Sequence, residues 1–241
     1  MTEITPTGAD LRDRILDAAL PHVPFDGWSD TTFRTALAAC DVTPGIGRAV
    51  FPGGAVDMAV ALHRRGDAQM VQQLRAADLT GLRFRDRIAH AVKLRIGLAG
   101  DREIVRRGMT LFALPSHAPR GVAATWGTAD AIWGALGDES RDHNWYTKRA
   151  SLSGVFGSTV LFWLGDTSGD DAATWAFLDR RIDNVMQFEK VKARVGDNKA
   201  LGRLTAMGGR LLAGLTAPAS GHRGRFPGHW PVAPKTPGGE R

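Results

Sequence analysis

"GWSDTTFRTALAACDVTPGIGRAVFPGGAVDMAVAL", residues 27–62, is the stretch that decides the fold. Asp30-Thr31-Thr32 opens a short helix that runs to about Ala39. Thr43 then offers a side-chain cap and Pro44 a first helical position, so a second short helix follows a tight turn. Pro52-Gly53-Gly54 ends it, and a longer helix starts near Val56 and runs to about Ala76. Two short helices across a turn, followed by a long one, make a helix-turn-helix rhythm. Upstream, Leu11, Ile15, Ala18 and Ala19 begin a further helix, expected to end before Pro24.

The helical spacing continues outward. It predicts helices over about 80–98, with Leu82, Ile88 and Val92 inward, and over 101–113, stopped by Pro115 and Pro119. Further ones cover roughly 120–136, 139–164 and 170–194. In the last, Trp175, Leu178, Ile182, Val185 and Met186 share one face at spacings of three and four. Strand signals are scarce: Asp26-Gly27 leads into Trp28-Ser29, not into an alternating run. The fold class is therefore all-α. Residues 1–10 are expected to be disordered, 11–76 to form the helix-turn-helix-like subdomain and 77–195 a helical core. An amphipathic segment occupies 196–216, and 217–241, with 5 prolines and 5 glycines, reads as a disordered tail.

Charge is unevenly spread. The net charge is +6, yet residues 1–191 hold 22 Lys+Arg against 23 Asp+Glu. The basic excess belongs to residues 192–241, where only Asp197 and Glu240 oppose nine cations. A near-neutral body argues against nucleic acid as the partner, and a basic end points to an anionic one. Over 197–215, Leu201, Leu204, Met207, Leu211, Leu212 and Leu215 fall near one face, with Lys199, Arg203 and Arg210 off it. This segment has three readings: a last packing helix, a dimer contact, or a membrane-surface helix. The charge map favours the third. The single cysteine, Cys40, excludes an internal disulfide framework and reads as core. No run of 18 apolar residues and no apolar signal core occur, and Glu3, Asp10 and Asp13 argue against a transit peptide, so a cytoplasmic protein is expected.

Chemistry-bearing motifs are few. Glu139 and His143 are four apart but have no second pair to complete a metal site. "GIGRAV" lacks a third glycine and a preceding strand, and no phosphate-binding loop with Lys-Ser/Thr exists. No enzyme is expected, and no cofactor. The middle helices are instead rich in large apolar groups, among them Met109, Phe112, Leu114, Trp126, Phe156 and Phe162. Gly97, Gly100, Gly108, Gly121, Gly127, Gly134, Gly154 and Gly157 interleave with them and thin the packing, so either a filled core or a ligand tunnel is possible. "DHNWYTKRA", residues 142–150, holds the only tyrosine, Tyr146, beside Trp145. Adjacent helical residues point about 100° apart, so one of the two should lean outward.

The N-terminal stretch resembles the DNA-binding domain of TetR-type repressors. Its reading helix offers Thr43, Gly45, Ile46, Gly47, Arg48 and Val50, of which only Arg48 is charged. The tyrosine and lysine such repressors use on phosphates are missing, so a relic used for packing or dimer contact is expected. A ligand-responsive TetR-type regulator is the alternative reading.

Over roughly residues 11–215 the chain resembles the ubiquinone (coenzyme Q) biosynthesis accessory family numbered nine in the coenzyme Q series. The matching stretches are "ILDAALPHVPFDGWSDTTF", "LPSHAPRG", "IWGALGDESRDHNWYTKRA" and "TWAFLDRRIDNVMQFEKVK", with His143 where an aromatic is common. The resemblance implies a TetR-like fold that binds lipids, including isoprenoid quinone intermediates, and docks to the di-iron demethoxyubiquinone hydroxylase. It carries the docking patch onto Ile132, Trp133, Asp142, Trp145, Tyr146 and Arg149. It carries the membrane helix onto 197–215, with Leu201, Arg203, Leu204, Arg210, Leu211, Leu212 and Leu215 at the surface. The lipid, isoprenoid or phospholipid, is expected against the six middle apolar residues named first. A homodimer without nucleic acid, peripheral on the cytoplasmic face of the inner membrane, completes the expectation.

Overall fold

A computed structural model describes residues 8–140 and 143–196. All regular structure among them is helical. The expectations that fall on residues 1–7, on Asp142 and on 197–241, including the membrane helix and the tail, lie outside the described residues.

The decisive stretch folds as its punctuation dictates. Helix α1 spans Gly8–Ala19 and α2 Val23–Asp26. Helix α1 ends before Pro24, as expected, and Pro24 sits in the first turn of α2, where its missing N–H has no intrahelical role. Helix α3, Asp30–Ala39, starts at Ser29, whose hydroxyl accepts the Thr32 amide at 3.2 Å. Helix α4, Pro44–Val50, starts at Thr43, whose hydroxyl accepts the Ile46 amide. Gly47 is the contact point of the pair, since a Cβ there would lie 2.5 Å from a Leu37 methyl. Gly47→Ala should therefore destabilise the protein by about 1–3 kcal/mol through overpacking, although alanine is the better helix former by about 1 kcal/mol. Urea unfolding measures this directly, and a stabilised variant would contradict the close approach.

Helix α5, Ala55–Ala76, runs through two cores. Met58, Ala59 and Ala61 pack with Ile15, Leu16, Phe33 and Phe51, the N-terminal cluster. Met70 and Leu74 pack with α6 (Phe84–Gly97), α8 (Ala118–Ala135), α9 (His143–Gly165) and α10 (Ala172–Gly196). Helix α7, Arg102–Ala113, bridges both: Ile104, Leu111 and Phe112 lean on the first cluster, Val105 and Met109 on the second.

Ile88, Val92, Leu178 and Ile182 are buried as their periodicity predicts, and Trp175 and Val185 pack against them. Leu82 is not: it precedes α6 in a turn and is 40% exposed. Pro119 starts α8 instead of ending α7, and Glu139 precedes α9. Cys40 is half-buried, packed against the N-terminal cluster.

Candidate functional site

Helices α5 to α9 line a cavity of about 1180 Å³ that is open to solvent on one side. Pockets for drug-sized molecules span about 300–1,000 Å³, so this one suits a larger ligand. Its apolar walls come from Val105, Met109 and Phe112 of α7, Trp126 of α8, and Phe156 and Val160 of α9. Glycines make the space. Gly108, Gly121, Gly154 and Gly157 all line it, and a Cβ on Gly154 would meet nothing within 4 Å. Gly121 instead lets Phe112 approach, since a Cβ there would lie 2.7 Å from the Phe112 Cβ. Gly100 also lines the cavity, whereas Gly97, Gly127 and Gly134 do not.

Of the six apolar residues expected at a ligand, Met109, Phe112, Trp126 and Phe156 line this cavity. Leu114 and Phe162 do not. Leu114 follows the last turn of α7 and is 50% exposed. Phe162 lies on the outer side of α9, stacked on Phe177 of α10 at 4.5 Å. Six positions after Phe156, it has rotated about 240° around the helix, away from the cavity.

The expected docking patch divides in the same way. Trp145 and Arg149, one helical turn apart, turn inward towards α8, and Ile132 and Trp133 are buried opposite them. These four are core residues in this structure, because α9, which carries Trp145 and Arg149, packs on α8, which carries Ile132 and Trp133. The guanidinium of Arg149 donates to Asp130 at 2.6 Å and to Asp138 at 3.0 Å, and lies 4.0 Å from the centre of the Trp145 ring. Lys148 reaches Asp138 at 2.8 Å and lies over the Trp133 ring, whose indole N–H donates to the Lys148 carbonyl. Burial by itself pushes the Asp138 carboxyl up. Hydrogen bonds from Lys148, Ser140 and Arg149, with the Lys148 charge, outweigh it and hold the pKa at about 2. Tyr146, rotated from its neighbours, is half-buried, packs edge-on against Trp145 at 4.8 Å and lines the cavity.

A second polar cluster went unread in the sequence. Asp67 of α5 accepts from Arg95 at 2.7 Å and from Thr128 at 2.8 Å. His63 lies 2.7 Å from the Thr128 hydroxyl. Burial, the leading cause, pushes the His63 pKa down; the Asp67 charge opposes it and that of Arg95 adds to it. Both His63 and Arg95 line the cavity. The signal was available: His63 and Asp67 are four apart on one helix, and Arg95 interrupts an apolar face of the next.

At the reading helix, Arg48 donates to Asp30 at 3.1 Å and lies over the Phe33 ring. Its one charge is engaged within the domain. Among the described residues no single helix is long and apolar enough to cross a membrane.

The architecture is thus the all-α TetR-like fold, with a short α4 whose one charge, Arg48, is paired to Asp30 and a cavity in the helical body. A TetR transcriptional regulator from Nitrosomonas europaea superposes with a TM-score of 0.58 at 21% identity, over 72% of this chain and 96% of that one. Within this class, residues 118–189 match the COQ9 family model, and the chain is similar in sequence to COQ9 proteins. It is 31% identical over 186 residues to "Ubiquinone biosynthesis protein COQ9, mitochondrial" of Drosophila melanogaster, covering 74% of this chain and 56% of that protein. The probable counterpart of Dictyostelium discoideum is 28% identical, over 76% of this chain and 62% of its own length. The human protein is 27% identical, over 73% and 58%. The chain thus spans a little over half the length of these curated relatives.

Proposed function

We propose that this protein serves ubiquinone biosynthesis as a lipid-binding accessory protein, not as an enzyme. It holds an isoprenoid quinone intermediate in the α5–α9 cavity and presents it to the di-iron demethoxyubiquinone hydroxylase. The observation that carries the reading is the cavity: about 1180 Å³, walled by Met109, Phe112, Trp126, Phe156 and Val160, and lying partly within the COQ9-matched segment. A role in ubiquinone synthesis rests on the names of the homologues.

The protein acts as a homodimer, peripheral on the inner membrane; the relatives named here are mitochondrial by name. Membrane contact falls to the basic, leucine-rich 197–215 segment, and removing 197–241 should abolish flotation with anionic liposomes. Within "DHNWYTKRA", hydroxylase docking centres on Tyr146, the patch aromatic that is not fully buried. Interface hot spots favour tyrosine where it can be desolvated. Tyr146→Ala should keep the fold, with a melting temperature within a few degrees, and weaken hydroxylase binding about tenfold or more. A titration of the hydroxylase by light scattering or calorimetry measures the second effect.

The test of the whole reading is reconstitution. Hydroxylase in liposomes loaded with demethoxyubiquinone should turn over faster when this protein is added, and the gain should vanish when the cavity is filled. No gain with intact protein would contradict it. The regulator reading predicts sequence-specific DNA retention at physiological salt. The engaged Arg48 and the neutral body predict none.

A further inference from the structure

The cavity is not uniformly apolar. Its α5–α6 wall carries His63, Arg65, Gln69 and Arg95, while the α7 and α9 walls are mostly aliphatic and aromatic. Arg95 is 5% exposed. Its Nε donates to Asp67 and its Nη2 to the His63 carbonyl at 3.0 Å. Its Nη1 has no protein acceptor among the described residues and lies against Gly66, where a Cβ would come 2.8 Å from the guanidinium carbon. Gly66 therefore makes the room that lets this cation reach the wall. A buried arginine is costly to hold, and an aliphatic side chain would pack these helices at no such cost. Holding one on the wall of a mostly apolar cavity suits a site that orients a polar head.

The charges at this wall cancel. Arg95 is matched by Asp67, and Arg65 by Asp17 at 2.6 Å with Asp13 nearby. Burial keeps His63 towards its neutral form. Asp101, also on the lining, caps α7. No surplus positive charge is left for a phosphate. What remains is hydrogen-bond donation from Arg95 without net attraction for an anion.

We propose that the α5–α6 wall is a head-group subsite for a lipid whose polar end is an uncharged, hydrogen-bond-accepting ring, with Arg95 as donor and Asp67, His63 and Thr128 as the frame that aims it. The proposal rests on the reading that the cavity holds a lipid. It goes beyond that reading in assigning the orientation of the lipid: head against α5–α6, tail along α7–α9.

Three probes in detergent test it on the full chain, by quenching of the tryptophans that line the cavity, Trp28, Trp126 and Trp163. They are a benzoquinone with a ten-carbon tail, squalene as an isoprenoid without a head, and dioleoylphosphatidylglycerol. The intact protein should bind the quinone about tenfold more tightly than either of the others, the margin of one charge-assisted hydrogen bond. Arg95→Lys keeps the ion pair with Asp67 but loses the fork geometry. It should weaken quinone binding about tenfold and leave squalene binding unchanged. Equal affinities of the intact protein for quinone and squalene would overturn the subsite, as would parallel loss of both in the variant. Tighter binding of the phospholipid would overturn the uncharged head. Should Arg95→Lys fail to fold, the selectivity of the intact protein decides. Binding of none of the three would instead refute the lipid-cavity reading itself.

Discussion

Arg149→Ala should cost about 3–5 kcal/mol of stability, a large part of the roughly 5–15 kcal/mol that holds such a domain. The side chain of Arg149 is 3% exposed and so is that of Asp138. Its removal strands Asp130 in the α8–α9 interface, takes one donor from Asp138, which keeps Lys148 and Ser140, and takes the side-chain donor from the Trp145 carbonyl. A buried pair adds little over an apolar replacement, but half a pair is expensive, because the remaining charge has lost both water and partner. Arg149→Lys should rescue only in part, since one ammonium cannot bridge two carboxylates as the guanidinium fork does. The same cluster sets an acid limit. The folded pKa of Asp138, about 2, lies below its unfolded value of 3.8. Its contribution is therefore complete above the unfolded value and lost as pH falls from about 4 towards 2. Asp166, held far below the usual carboxylate range by the hydroxyls of Ser168 and Thr174, should add to the loss in the same direction. Urea midpoints measured between pH 5 and pH 2.5 should fall steeply for the wild type. In Arg149→Ala they should start lower and fall less, because Asp138 has lost one of the donors that depress its pKa.

Gly154→Leu should do the reverse: keep or raise stability and empty the cavity. Gly154 sits within α9, where glycine costs about 1 kcal/mol relative to alanine. A Cβ there meets nothing within 4 Å, so the new side chain has space, and that space is the cavity. Lipid recovered from the purified variant should fall about tenfold, the effect of losing roughly one buried leucine's worth of contact. Thermal melting should show no loss. A variant that melts lower yet retains its lipid would mean that Gly154 faces a packing contact and not the ligand.

The sequence carried the fold because punctuation carried it. Thr43-Pro44 and Pro52-Gly53-Gly54 bracket α4 as read, and the spacing of Leu178, Ile182 and Val185 marks the buried face of α10. The site was legible only where a residue type constrains its own surroundings. The interleaved glycines announced thin packing, and Met109, Phe112, Trp126 and Phe156 do line the cavity. Leu114 and Phe162 share their chemistry but differ in helical phase or position, which composition does not encode. The aromatic and basic residues of "DHNWYTKRA" looked like a surface, yet Trp145 and Arg149 are interior. Their carboxylate partners, Asp130 and Asp138, lie 19 and 11 residues upstream of Arg149, beyond any local periodicity. The His63–Asp67–Arg95–Thr128 cluster joins three helices and was hidden for the same reason.

The proposed occupant of the α5–α9 cavity is an isoprenoid lipid. Native mass spectrometry of the full chain, purified from a ubiquinone-producing host without added lipid, tests it most directly. The expected result is a mass excess that organic extraction releases as an isoprenoid quinone or its precursor, and that Gly154→Leu lacks. A wild-type protein of bare polypeptide mass, or one whose adduct persists unchanged in Gly154→Leu, would contradict it.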